Sequence, residues 1–238
     1  MVFYCFGWQK PKKSVTLEEI EWRFPRQFSG LKKLFPVWAI VSPRSNTNPF
    51  DVMCKPMDEN VIREKIKKAI KMLFSNDVWL LEHDVSEQSI THKLAEYMQP
   101  LFPDYNVDCE YNGDVTRNGN RKHIEVLKSV LRKKGFLGEN EVYEAASEFV
   151  DRAVRPDIIV HRRGTNDYNL CIIEVKKTTN RALQGYDQIK LKAYTSDKYG
   201  NNLKYQIGLF IEFAAGTKKM HGKILYFKGG KKADSESV

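Results

Sequence analysis

The chain has 238 residues, 42% hydrophobic and 12% aromatic, enough apolar side chain for a buried core and too much for global disorder. No apolar run approaches the roughly 18 residues of a membrane helix. Val2-Phe3-Tyr4-Cys5-Phe6 is too short for a signal-peptide core and precedes its lysines, so a cytoplasmic protein with no membrane partner is expected. The net charge of +9 is uneven: residues 1–80 carry +6, 81–155 carry −4 and 156–238 carry +7. An acidic middle between basic ends suits metal in one place and polyanion around it, or simply a solvated basic surface.

Residues 1–80 are expected to form an N-terminal extension that contacts nucleic acid or a partner. A Lys10-Pro11-Lys12-Lys13 turn opens it, followed by a helix from Ser14, a strand over 35–41 and a loop over 43–49. Trp8, Trp22 and Trp38 read as packing residues, with base stacking as the alternative. Cys5, Cys54, Cys109 and Cys171 share no CxxC spacing and read as free thiols. From Asp58, the spacing of Ile62, Ile66, Ala69, Ile70 and Leu73 predicts an amphipathic helix, with Asp58 and Glu59 favouring its start.

A second helix is predicted from Ser86 to about Gln99, carrying Ile90, Leu94, Tyr97 and Met98 as its stripe and stopped by Pro100 and Pro103. Asp84 and Glu87 resemble a capping pair, a purely structural reading of Glu87. Residues 106–112 alternate as a strand. Residues 113–155 read as an insertion of two helices, a basic one over 121–134 and an acidic one over 139–153. A hairpin, a helix ending near Ser196, a strand over 205–213 and a short strand over 223–227 follow, before a mobile tail over 229–238. From residue 86 the order is helix, strand, insertion, strand, strand, helix, strand, which implies a mixed sheet with helices on its faces.

The hairpin carries the chemistry. Arg155-Pro156-Asp157-Ile158-Ile159-Val160-His161 and Leu170-Cys171-Ile172-Ile173-Glu174-Val175-Lys176-Lys177 are two apolar runs joined by a polar turn. Asp157 and Glu174 are acids in strands that otherwise ask for none, and strand alternation puts Lys176 on the same face as Glu174, with Lys177 opposite and solvated or phosphate-facing. Desolvating such charges costs stability, so a site is a better reason for them than folding. Mg²⁺, with Mn²⁺ as substitute, takes oxygen ligands; Asp157, Glu174 and the Val175 carbonyl can supply them. Lys176 beside the ion, its pKa lowered by that positive field, would position or deprotonate a water or stabilise charge on a phosphorane-like transition state. His92 and His161 read as structural groups, and Glu110 either lines the cleft or faces solvent.

Pro156-Asp157, then sixteen residues, then Glu174-Val175-Lys176 resembles the signature of the PD-(D/E)XK nuclease superfamily, with its restriction-endonuclease-like fold. The resemblance covers about residues 84–213, and the text from Ser86 to Asn112 is similar to small bacterial and phage members. It implies an α/β nuclease domain over 81–228 that hydrolyses phosphodiester bonds with Mg²⁺, acting on nucleic acid and on DNA first, in defence, repair or mobile-element biology. It also implies that Glu87, on the first core helix, points toward the metal with Asp157 and Glu174, and that polar residues of the helix after the hairpin support the site. Gln184, Asp187, Lys190 and Tyr194 share a stripe there, and Lys190 is the candidate phosphate contact. Arg121, Lys122 and Lys128 of the basic helix are candidate DNA contacts. Endonuclease or exonuclease action, DNA or RNA, and a homodimer that cuts two strands stay open. So does a second function: a non-catalytic nucleic-acid-binding or protein-interaction module that keeps the fold.

Overall fold

The computed structural model describes residues 57–115, 121–137, 147–180 and 184–238. The elements expected before residue 57, with Trp8, Trp22, Trp38, Cys5 and Cys54, lie outside them. Helix α1 (Glu59–Asn76) starts where the Asp58 carboxylate accepts the Asn60 N–H at 2.8 Å, and it buries Ile62, Ile66, Ala69, Ile70 and Leu73. Helix α2 (Val78–Glu82) is a short turn into α3 (Glu87–Met98), which buries Ile90, Leu94 and Met98. Ser86 caps α3 by accepting the Ser89 N–H at 3.1 Å. Asp84, expected to share that role, instead accepts from Thr179 and pairs with Lys177.

Strand β1 (Asn106–Cys109) precedes β2 (His123–Leu127), the short helix α4 (Lys128–Lys133) and β3 (Phe149–Ala153). Then come β4 (Ile158–His161), β5 (Cys171–Lys177), helix α5 (Gln184–Tyr194), β6 (Ile207–Phe213), β7 (Gly222–Lys228) and β8 (Lys231–Ser237). Six strands form one sheet in the order β1-β4-β5-β6-β7-β8, and β2 pairs with β3 separately. Only β5 and β6 run parallel. Parallel neighbours need a crossover, and α5 supplies it.

The molecule is thus mixed α/β, its mostly antiparallel sheet flanked by helices. Alternation splits the core. Ile158, Val160, Ile173, Val175, Leu209 and Ile211 face α1 and α3. Ile159, Ile172, Phe210, Leu225 and Phe227 face α5 and the β2–β3 hairpin. Each buried Ile or Leu contributes roughly 1.5–3 kcal/mol of transfer free energy before entropy is charged. Among the described residues no helix is long and apolar enough to cross a membrane.

Three expectations are corrected. Helix α1 shares the main core with α3 and the sheet, so residues 59–80 belong to that unit rather than to an N-terminal extension. The insertion is mainly a β-hairpin: Ile124 and Val126 are buried at alternate positions of β2, and only 128–133 keep the helical form expected over 121–134. Residues 149–153 are strand rather than helix, while 138–146 lie outside the described residues. Finally, the expected mobile tail is β8. Gly229 and Gly230, at φ 54° and 77°, make the left-handed turn that folds it back on β7. Its polar composition suits a solvated edge strand.

Candidate active site

The β4–β5 ladder stops at Ile158 opposite Ile173, whereas β6 pairs with β5 to its end. Residues 174–177 of β5 therefore have β6 on one side and no strand on the other. Backbone donors on that open edge need partners. Asp157 Oδ2 accepts the Val175 N–H at 2.7 Å, and Glu87 Oε1 accepts the Lys177 N–H at 3.1 Å. A ladder residue directs its N–H and C=O to the same neighbour, so the Val175 carbonyl faces the Asp157 edge too. The two outlying acids thus complete the edge where the neighbouring strand ends.

Glu174 and Lys176 point to the α5 face, as alternation predicts. Glu174 is 2% exposed, and its Oε2 lies 2.7 Å from Lys190 Nζ. Lys190 also meets Asp187 Oδ1 at 2.9 Å. Lys176 Nζ sits between Glu87 Oε2 at 3.2 Å and Asp187 Oδ2 at 3.3 Å. Asn180 Nδ2 donates to Glu87 at 3.1 Å. Four carboxylates from α3, the approach to β4, β5 and α5 thus surround two ammonium groups, an excess of two negative charges when all are ionised.

The field follows from that excess. Burial pushes the Glu174 carboxyl well above the usual carboxylate range, and Asp157 and Asp187 add to the shift against the pull of Lys190. Asp157 is raised, chiefly by burial, although its bond from Val175 opposes this. Burial works to lower both lysines, but the surrounding carboxylates win and raise them. Asp187 and Glu87 are the carboxylates that raise Lys176; the lowering expected of it belongs to a lysine beside a bound ion. Three buried oxygens in this field have no hydrogen-bond partner: Glu174 Oε1, the Tyr194 hydroxyl, and Asp187 Oδ2, which meets Lys176 only as an ion pair.

Asp187, 5% exposed and touching both lysines, is more central than its expected place on the supporting stripe of α5. Its spacing of three from Lys190 on the α5 stripe was the available signal. Gln184 donates to Glu212 at 2.8 Å, and Glu212 stands beside Lys176 in the β5–β6 register. Lys177 is buried rather than solvated, its ammonium 2.7 Å from both Asp84 Oδ1 and the Val85 carbonyl. Glu110 pairs with Arg155 at 3.5 Å. His161 is structural: Asp108 bonds its Nε2 at 2.9 Å, and burial lowers its pKa.

The nucleic-acid assignments change more. Lys190 is committed to Glu174 and Asp187. Lys122 is 1% exposed, beneath the Tyr111 ring and donating to the Gly113 carbonyl, so it is no surface contact. Arg121 is exposed and Lys128 half-buried.

Among the described residues, no group of three His, Cys, Asp or Glu side chains is arranged to hold a metal ion. Mg²⁺ commonly needs only one or two carboxylates with water and phosphate oxygens, and the oxygen-only donors, the unpartnered Glu174 Oε1 and the double negative excess fit such an ion. The chain matches no family model, no curated protein and no solved structure.

Proposed function

We propose that the chain is a Mg²⁺-dependent nuclease with a restriction-endonuclease-like core, hydrolysing phosphodiester bonds of nucleic acid, DNA first. The observation that carries this reading is the set of four carboxylates and two ammonium groups at the open edge of β5, with a buried Glu174 oxygen left unpartnered. Asp157, Glu174 and the Val175 carbonyl are the groups that would hold the ion, with Mn²⁺ as substitute. A bound divalent ion supplies an acidified water and charge neutralisation at the scissile phosphate. Glu87, with both oxygens engaged by Lys176, Lys177 and Asn180, anchors α3 to β5 and orients Lys176. Lys176, held between two carboxylates, acts as an ammonium donor to the charge that builds on the phosphoryl oxygens. Lys190 and Asp187 hold Glu174 in place from α5.

A second reading has its own observation. Asp157 and Glu87 satisfy backbone donors, and two lysines partly balance the acids, as in a module that binds nucleic acid or protein without cutting. Supercoiled plasmid, linear duplex, single-stranded DNA and RNA incubated with Mg²⁺ or Mn²⁺ separate the two. Cleavage that needs the metal and vanishes in Asp157→Asn and Lys176→Ala supports the nuclease. Salt-sensitive binding without cleavage supports the module.

A further inference from the structure

Helix α5 has a second functional face. Asp187 and Lys190 turn to the β5 site, while Ile189, Lys192 and Ala193 line an open cavity of about 310 Å³ between β2, α4 and the β7–β8 turn. Its floor is apolar, from Val126, Leu127, Val130, Ile189 and Ala193. Four exposed lysines surround it: Lys134, Lys192, Lys198 and Lys231. None of them makes an ion pair among the described residues, in contrast to Lys176 and Lys190. The one acid in the lining, Glu125, lies against the Gly200 turn.

An aromatic ring completes the site. Tyr199 is 49% exposed at the cavity wall, with its ring centroid 4.9 Å from that of Phe149. The wall is built rather than floppy: Asn201 accepts the Glu125 N–H at 2.9 Å and donates to the Glu125 and Lys198 carbonyls, both at 3.0 Å. The loop that presents Lys198 and Tyr199 is thereby fixed to β2, which lowers the ordering cost of binding.

We propose that this cavity binds a nucleoside phosphate, with the lysines on the phosphate and the base over the apolar floor against Tyr199. The volume lies at the small end of ligand pockets, the size of one nucleotide. Lysines act as point charges toward phosphate, and aromatic rings stack on any base. The ligand is a free nucleotide or one unit of a nucleic-acid strand. The site is separate from the β5 cluster and does not depend on cleavage there.

The test uses the full chain in EDTA, so that no metal-dependent cleavage intervenes. Calorimetric titrations with thymidine 5′-monophosphate, inorganic phosphate and a single-stranded oligothymidylate compare the wild type with three variants. Lys192→Gln/Lys231→Gln weakens nucleotide and oligomer by about tenfold or more and lowers the single-stranded oligomer's log–log salt slope by about 1.4 units. Tyr199→Asn, which tolerates the residue's φ of 58°, weakens the nucleotide by about tenfold and leaves inorganic phosphate unchanged. Lys192→Arg keeps the affinity, which separates lost charge from lost fold. An oligomer at least about tenfold tighter than the monophosphate assigns the site to a strand; equal affinities assign it to free nucleotide. No binding of either, binding indifferent to these substitutions, or phosphate bound as tightly as the nucleotide would overturn the proposal.

Discussion

Lys190 stands between two buried acids, Glu174 and Asp187, and its loss should cost more than any other single change at the site. Lys190→Met leaves both carboxylates without their closest cation, a penalty of about 3–5 kcal/mol. Thermal unfolding in EDTA should show that loss, and millimolar Mg²⁺ or Mn²⁺ should restore part of it by taking the vacated charge. No restoration would count against a cation site there. Lys122 offers a test by pH. Burial lowers its pKa to about 8, below the ordinary lysine value, so between those values the unfolded chain holds a proton that the folded chain has released. Its penalty is full below pH 8 and fades as pH rises. Lys122→Met should therefore raise the melting temperature at pH 7, with a gain over wild type that shrinks toward pH 10. A constant gain would contradict the assigned shift. Asp157, Glu174 and Lys176 were legible because charges interrupt apolar strands. Asp187 was legible only as one member of the polar stripe on α5 and not as a partner of both lysines, because an acid in a helix's first turn is ordinary. Lys122 misled because burial against Tyr111 and Gly113 leaves no trace in local sequence.

Among the elements, β5 is supported unequally. β6 pairs with all of it, whereas Asp157 and Glu87 replace the missing end of β4. Hydrogen exchange tests that substitution. The Val175 amide should be protected in the wild type and exchange about tenfold or more faster in Asp157→Ala, whereas Asp157→Asn, which keeps an acceptor, should retain most of the protection. Equal rates would mean that something else closes the edge. β8 is testable by truncation: removing residues 230–238 strips β7 of its partner along with the Arg63–Asp234 and Tyr226–Glu236 contacts. The melting temperature should fall by several degrees, whereas loss of a mobile tail would leave it unchanged. The core elements were readable because α1, β4, β5 and β6 carry strong apolar periods. Strands β2 and β8 were not. The lysine-rich spacing that continues past β2 imitates a helix, and β8, an edge strand with no apolar alternation, imitates a tail.

At the scale of the whole molecule, the net charge of +9 coexists with a site whose own balance is negative, so positive surface and acidic centre serve different ends. Lys134, Lys192, Lys198 and Lys231, which make no ion pair among the described residues, gather around the second cavity, the first of them from the stretch 121–134. The order of helix, strands, crossover helix and strand was legible because each element spans a single pattern. The wrapping of the β2–β3 hairpin over α5 was not, since it depends on packing between distant segments. The most direct test of the central claim is cleavage of supercoiled plasmid by wild type and Glu174→Gln, each with Mg²⁺ and with EDTA, both folded by circular dichroism. The wild type should cut with Mg²⁺ alone, and Glu174→Gln at a rate about a thousandfold lower. Cutting that persists in EDTA, or that survives Glu174→Gln at the wild-type rate, would contradict that claim.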